Sequence, residues 1–194
     1  SGHAFRRLTH ISMVVVPFLY YVHGDRISSW FSLEPTQFVS CFCFLILAIE
    51  FVRLKTGIVI VGQRAYESNQ ISALAWGTIA VALALLIAPE GDGSGIESGI
   101  YGIPLILGMT IVDPLMGEVK RLKRDLNMAI TLGIFVSYTI WIGCYFWIGT
   151  DFIVAVLLAP LTVLGELTSS KLIDDNATMV LFPLCGLVLL FPFL

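Results

Sequence analysis

The chain has 194 residues, of which 57% are hydrophobic and 13% charged, and its mean hydropathy is +0.91. A soluble domain runs at about 45–50% apolar and about 25% charged, so these values exclude one and predict an all-α, polytopic integral membrane protein forming a single membrane domain over residues 1–194. The net charge of −3 gives no basis for a nucleic-acid partner, and the placement of the charges is more informative than their sum.

At about 20 apolar residues per span the chain has room for roughly six to eight spans, and seven are assigned here. Ser1-Gly2-His3 reads as an expression scar and is set aside. No cleavable signal peptide is expected, because the first apolar run follows Arg6 and Arg7 and lacks a small-residue cleavage site. Span one is predicted at residues 11–22, closed by His23-Gly24-Asp25-Arg26. Residues 27–37, with Trp30, Phe31 and Pro35, suit an interfacial connector. Span two covers 38–52, and the apolar run 56–61 is too short to cross. A polar segment, 62–70, leads into span three at 71–88, and the Gly-rich stretch 89–95 is a flexible turn. Span four covers 100–112, bent by Pro104 and Gly108, and the charged connector 113–127 follows. Span five is 128–148, span six 152–164, and span seven 177–194, kinked at Pro183. Cys41, Cys43, Cys144 and Cys185 all lie in apolar runs and match neither a zinc spacing nor a disulfide framework.

Charge placement predicts the orientation. With the N-terminus inside, ten of the 11 Lys and Arg fall on inner segments and Arg26 alone falls outside. The positive-inside rule therefore places the N-terminus in the cytosol and the C-terminus outside. Four polar segments then share the cytosolic face: Arg6-Arg7 with His10, Arg64 with Glu67, residues 113–125, and residues 165–178. Gly91-Asp92-Gly93-Ser94-Gly95 resembles a phosphate-cradling loop in composition but falls outside, so it reads as a linker.

Each cytosolic segment has a plain reading and a chemical one. Arg64 and Glu67 are three apart and fit an intrahelical ion pair. Arg7 and His10 fit an interfacial anchor. Asp113 directly follows an apolar run and precedes Pro114, which predicts a helix start there. Lys120, Arg121, Lys123 and Arg124 then serve either as positive-inside anchors or as phosphate ligands. In the last segment one of Asp174, Asp175 and Asn176 caps the final helix. Two adjacent carboxylates with Glu166 behind them exceed that need, and neighbouring carboxylates repel unless a cation sits among them. Lys171 is one such cation, and a divalent metal carrying a nucleotide phosphate is the other.

Glu166 followed by Ile173-Asp174-Asp175-Asn176-Ala177-Thr178 resembles the E…DDNLT signature of the polyprenol kinase family, which includes the dolichol and phytol kinases. Arg6-Arg7-Leu8-Thr9-His10 is similar to the family's early R-K-x-x-H element. Arg64-Ala65-Tyr66-Glu67 lies where the family carries a basic–acidic pair, and Asp113-Pro114-Leu115-Met116-Gly117 where it carries G-D-x-x-A-x-x-x-G. Val112 stands in place of that first glycine, and a later K-S-x-x-G element has no counterpart.

The resemblance implies an integral membrane lipid kinase. It would transfer the γ-phosphoryl of CTP, or of ATP, to a long isoprenoid alcohol at the cytosolic interface. Asp113, Asp174 and Asp175 would hold Mg²⁺, with Glu166 among the catalytic carboxylates. Arg64, Lys120, Arg121, Lys123, Lys171 and Asn176 would bind the nucleotide, and Arg7, His10 and Glu67 the substrate. The membrane would be the plasma membrane in a prokaryote and the endoplasmic reticulum or plastid in a eukaryote. Two alternatives are a membrane cytidylyltransferase making a CDP-lipid and a lipid or small-solute transporter.

Overall fold

In lipid every backbone N–H and C=O must be satisfied within the protein, so apolar runs of spanning length fold as helices. The computed structural model describes residues 8, 10–58, 70–168 and 173–194, and these carry no strand. Among the described residues the α-helices follow in the order α1 (Val15–Ser29), α2 (Pro35–Thr56), α3 (Ala73–Ile87), α4 (Gly102–Lys123), α5 (Leu126–Ile148), α6 (Phe152–Leu167) and α7 (Asp175–Leu190). Among the described residues four helices are long and apolar enough to cross a membrane: α2, α4, α5, and α7 with its final turn, Asp175–Phe193. Helices α3 and α6 are apolar but have 15 and 16 residues. Their lengths of about 22–24 Å fall short of a hydrocarbon core of about 30 Å.

Helix α4 is the centre of the bundle. It touches α1, α3, α5, α6 and α7, and Ile103, Ile106, Met109, Val112 and Met116 along it are fully buried. Helix α2 packs on α1 and α3 and leaves much of its apolar surface outward, with Phe44, Phe51 and Val52 exposed. An outward apolar face of this kind suits a helix solvated by lipid tails.

Several boundaries differ from the sequence-based expectation. His23-Gly24-Asp25-Arg26 does not close α1. None of the four forbids helix, and the Ser28 and Ser29 hydroxyls donate back to the carbonyls of Asp25 (3.2 Å) and Arg26 (2.8 Å). The chain turns at 30–34, where Ser32 adopts φ 57. Helix α2 starts at Pro35 behind a reciprocal cap, with the Glu34 N–H donating to Gln37 Oε1 at 3.0 Å. Pro104 lies in the first turn of α4, where no helical hydrogen bond is lost, so it marks a start and not a bend. The Gly-rich stretch is a closed turn, with the Gly91 N–H donating to the Ser98 carbonyl at 3.0 Å.

The largest difference is at residues 113–127, expected to be a connector with a helix start at Pro114. Helix α4 instead runs through Asp113 and Pro114 to Lys123. The reversal is confined to Arg124, at φ 52, and Asp125, whose side chain caps α5 by accepting from the Met128 N–H at 3.0 Å. Helices α4 and α5 therefore form a tight helical hairpin.

Candidate functional site

The unbroken α4 gives its charged residues a common face. Asp113 and Lys120 are seven residues apart, two turns of helix, and project nearly in line. Both meet the end of α6, where Lys120 Nζ lies 2.8 Å from Glu166 Oε1.

Glu166 is brought there by the glycine before it. A Cβ on Gly165 would lie 2.5 Å from the Thr178 carbonyl carbon and oxygen and 2.6 Å from Met179 Cα. These are backbone atoms, so only glycine lets α6 and α7 approach this closely. The Thr178 hydroxyl completes the contact by donating to the Gly165 carbonyl at 2.7 Å. One turn before Thr178, at the first residue of α7, stands Asp175.

Asp113, Glu166 and Asp175 thus converge from three helices. One carboxylate oxygen of each lies within 4.8 Å of the other two. Three oxygens around one ion stand at most about 3.6 Å apart for Mg²⁺ and about 4.2 Å apart for Ca²⁺, so a cation here would draw the three together. The Glu166 side chain is only 5% exposed, and among the described residues its Oε2 has no hydrogen-bond partner. Asn176 Oδ1, also buried, has none either. A buried carboxylate oxygen without a donor is costly, and a cation among these oxygens would offset that cost.

Electrostatics agree. Glu166 lies past the apolar run of α6, and its carboxyl is pushed up to about 7. Burial is the main cause, Asp113 and Asp175 add to it, and Lys120 opposes it. At neutral pH Glu166 therefore holds a proton part of the time, and that proton is what a divalent ion would displace. On the other side of the cluster His10 Nδ1 lies 3.3 Å from Asp113 Oδ2.

No protein-family model, no curated protein and no solved structure matches the chain.

Of the residues named from sequence, Asp113, Glu166, Asp175, Lys120 and His10 come together. Asp174 adjoins the cluster but is engaged in capping α7, accepting from the Asn176 N–H at 3.2 Å and the Asn176 amide at 2.5 Å. The carboxylates that meet are therefore Asp113, Glu166 and Asp175. Arg121 pairs with Glu118 at 2.5 Å, and both it and Lys123 are exposed along the hairpin. Arg7, Arg64, Glu67 and Lys171 lie outside the described residues.

Sequence reasoning gave no role to Glu50 and Arg53, near the end of α2. Arg53 donates to Glu50 at 2.8 and 2.9 Å, to the Gln70 carbonyl at 2.6 Å and to the Ile58 carbonyl at 3.3 Å. Glu50 accepts from the Ser72 N–H at 2.6 Å. This clasp closes the segment between α2 and α3 at both ends. The available signal was the three-residue spacing of opposite charges in an otherwise apolar helix.

Proposed function

We propose that the chain is a membrane-embedded, divalent-cation-dependent phosphotransferase that moves the γ-phosphoryl of a nucleoside triphosphate, CTP by preference, to the hydroxyl of a long isoprenoid alcohol. The observation that carries this reading is the meeting of Asp113, Glu166 and Asp175 beside Lys120, at the end of the bundle that holds the basic residues. Phosphoryl transfer needs mainly positioning and neutralisation of charge, and this end supplies both.

A cation held by Asp113, Glu166 and Asp175 would offset the charge that builds on the phosphate oxygens. Lys120, which pairs with Glu166, neutralises phosphate charge beside them. His10, backed by Asp113, takes the hydroxyl proton. The alcohol oxygen bonds to the γ-phosphorus, the bond from that phosphorus to the bridging oxygen breaks, and the nucleoside diphosphate leaves. The exposed basic residues Arg121, Lys123 and Arg124 on the hairpin attract the nucleotide.

A transporter would place its charged groups near the midplane between broken helices, whereas here the Lys and Arg residues, Arg26 apart, gather at one end. A cytidylyltransferase would share the cation but release pyrophosphate. The test offers purified protein, in detergent, CTP or ATP with γ-phosphate label and prenols of graded length. Labelled prenyl phosphate with release of nucleoside diphosphate is expected, lost in Asp113→Asn and Asp175→Asn. Full activity in both variants would sink the assignment, and pyrophosphate release with a lipid phosphate would support the cytidylyltransferase.

A further inference from the structure

Asp113, Glu166 and Asp175 meet at one end of the bundle, and one positive side chain of α4 already reaches into them. The ammonium of Lys120 lies 2.8 Å from Glu166 Oε1. Among the described residues it is the one donor to Glu166, whose Oε2 has none. The two partners differ in freedom. The Glu166 side chain is 5% exposed and that of Lys120 34%. The backbone contact of Gly165 with Thr178 holds Glu166 in place, whereas the lysine head rides on a flexible four-carbon stem. Of the two, the lysine is the one that can leave.

The ammonium and a divalent ion compete for the same carboxylate. An ion about 2.1–2.4 Å from either Glu166 oxygen would stand at most about 7 Å from Lys120 Nζ in its present place, inside one screening length. Like charges that close, beside a buried group, repel. A free ion must therefore displace the ammonium and leave it without its carboxylate. An ion that carries a phosphate brings the ammonium another anion, so the lost pair is replaced. The neighbouring base Arg121 has no such conflict, because its partner is Glu118, outside the three carboxylates.

We infer that Lys120 is a tethered cation of this site: it occupies Glu166 when no divalent ion is bound, and it makes the site favour an ion bearing a phosphate over a free ion. The inference rests on the proposed cation site, and not on the identity of the alcohol or of the nucleotide base.

The first test needs no substitution. Wild-type protein in detergent is acetylated with an amine-reactive ester, with and without saturating Mn²⁺, and the peptides holding Lys120 and Lys123 are quantified. Without ion Lys120 is expected to react several-fold more slowly than the exposed Lys123, and with Mn²⁺ to approach it. A Lys120 rate that ignores bound Mn²⁺ would overturn the inference. The second test reads free Mn²⁺ binding by electron paramagnetic resonance, the share belonging to the site being that lost in Asp113→Asn. Lys120→Met should tighten it about tenfold, near 1.4 kcal/mol. Lys120→Arg, which keeps the charge, should bind no tighter than wild type. The KM of Lys120→Met for the nucleotide should move the other way and rise about tenfold. Weakening of both in Lys120→Met would make the lysine a structural support, and equal tightening in Arg121→Met would make the effect one of general charge; either result overturns the inference. If neither wild type nor Lys120→Met binds Mn²⁺, the proposed cation site fails and the inference with it. If Mn²⁺ binding shifts as expected but no alcohol is phosphorylated, the phosphotransferase reading alone fails.

Discussion

Gly165→Ala is the sharpest perturbation, because one methyl group acts on the fold and the site together. The added Cβ would start 2.5 Å from Thr178 backbone atoms, about 1 Å inside ordinary van der Waals contact. Helices α6 and α7 must separate by about that much. The 2.7 Å bond from the Thr178 hydroxyl to the Gly165 carbonyl would stretch to about 3.7 Å, beyond a hydrogen bond. Overpacking costs about 1–3 kcal/mol and the lost bond about 1 kcal/mol. The gain in helix propensity offsets roughly 1 kcal/mol. A net loss of about 1–3 kcal/mol is expected, together with an activity loss of about a hundredfold, because a shift of about 1 Å misplaces Glu166 against Asp175. Thermal unfolding in detergent and the labelled-phosphate assay read the two effects. Gly143→Ala is the control: nothing lies within 4 Å of its Cβ position, and it should be neutral or stabilising. A Gly165→Ala protein as stable and as active as wild type would refute the argument that backbone contact at this glycine assembles the carboxylates.

Removing Arg53 alone, as Arg53→Met, should cost about 3–5 kcal/mol, because Glu50 is left buried without its partner. The double variant Glu50→Leu/Arg53→Met should be no worse than the single one, as thermal unfolding would show. Mg²⁺ or Mn²⁺ should raise the unfolding temperature of the wild type, by about 2.7 kcal/mol equivalent at a hundred times Kd, and leave Asp113→Asn unchanged. The pH dependence follows from Glu166. Its carboxyl titrates near 7 instead of the usual 4.5, so its contribution to stability without cation is present below about 4.5 and lost as pH rises through 7. Cation binding reverses that loss, so its stabilising effect should grow from pH 5.5 to pH 7.5, and a flat profile across that range would count against Glu166 as a ligand. Tyr138→Phe should cost about 0.5–1.5 kcal/mol. Pro160 cannot donate to the Val156 carbonyl four residues back, and the Tyr138 hydroxyl does so from α5 at 3.2 Å. A Tyr138→Phe protein that unfolds at the wild-type temperature would show that this carbonyl is satisfied otherwise.

The helical character of the apolar runs was legible, and among the described residues they are helices, four of spanning length, because spacing of apolar residues and the need to satisfy the backbone leave little choice. Helix ends were less so. His23–Arg26 looked like a stop from its polarity, but polarity alone does not end a helix; a left-handed residue does, and Ser32 carries no mark of it. Asp113-Pro114 looked like a start because proline favours the first turn. The buried packing of α4 on both sides of Pro114 outweighs the one hydrogen bond lost. For the site, sequence named the carboxylates but not their partition between capping and cation. Choosing Glu166 over Asp174 depends on the rotation of α6 against α7. That rotation is set by the contact of Gly165 with Thr178, which no pattern within either helix displays. The Glu50–Arg53 spacing was visible, but its grip on Gln70 and Ser72 joins residues about twenty positions apart.

That pair has a consequence for how the chain enters the membrane. Each isolated charge at depth opposes insertion by about 2.5–3.5 kcal/mol, and α2 is inserted before α3 has been made. Glu50 and Arg53 are three apart on one helix, so they neutralise each other as soon as that turn forms, with no help from the bundle. Helix α2 can thus leave the insertion machinery with this pair neutralised and Lys55 as the one unmatched charge, in its last turn. When Gln70 and Ser72 emerge from the ribosome, their donors and acceptors are already in place, and the order of synthesis becomes the order of assembly.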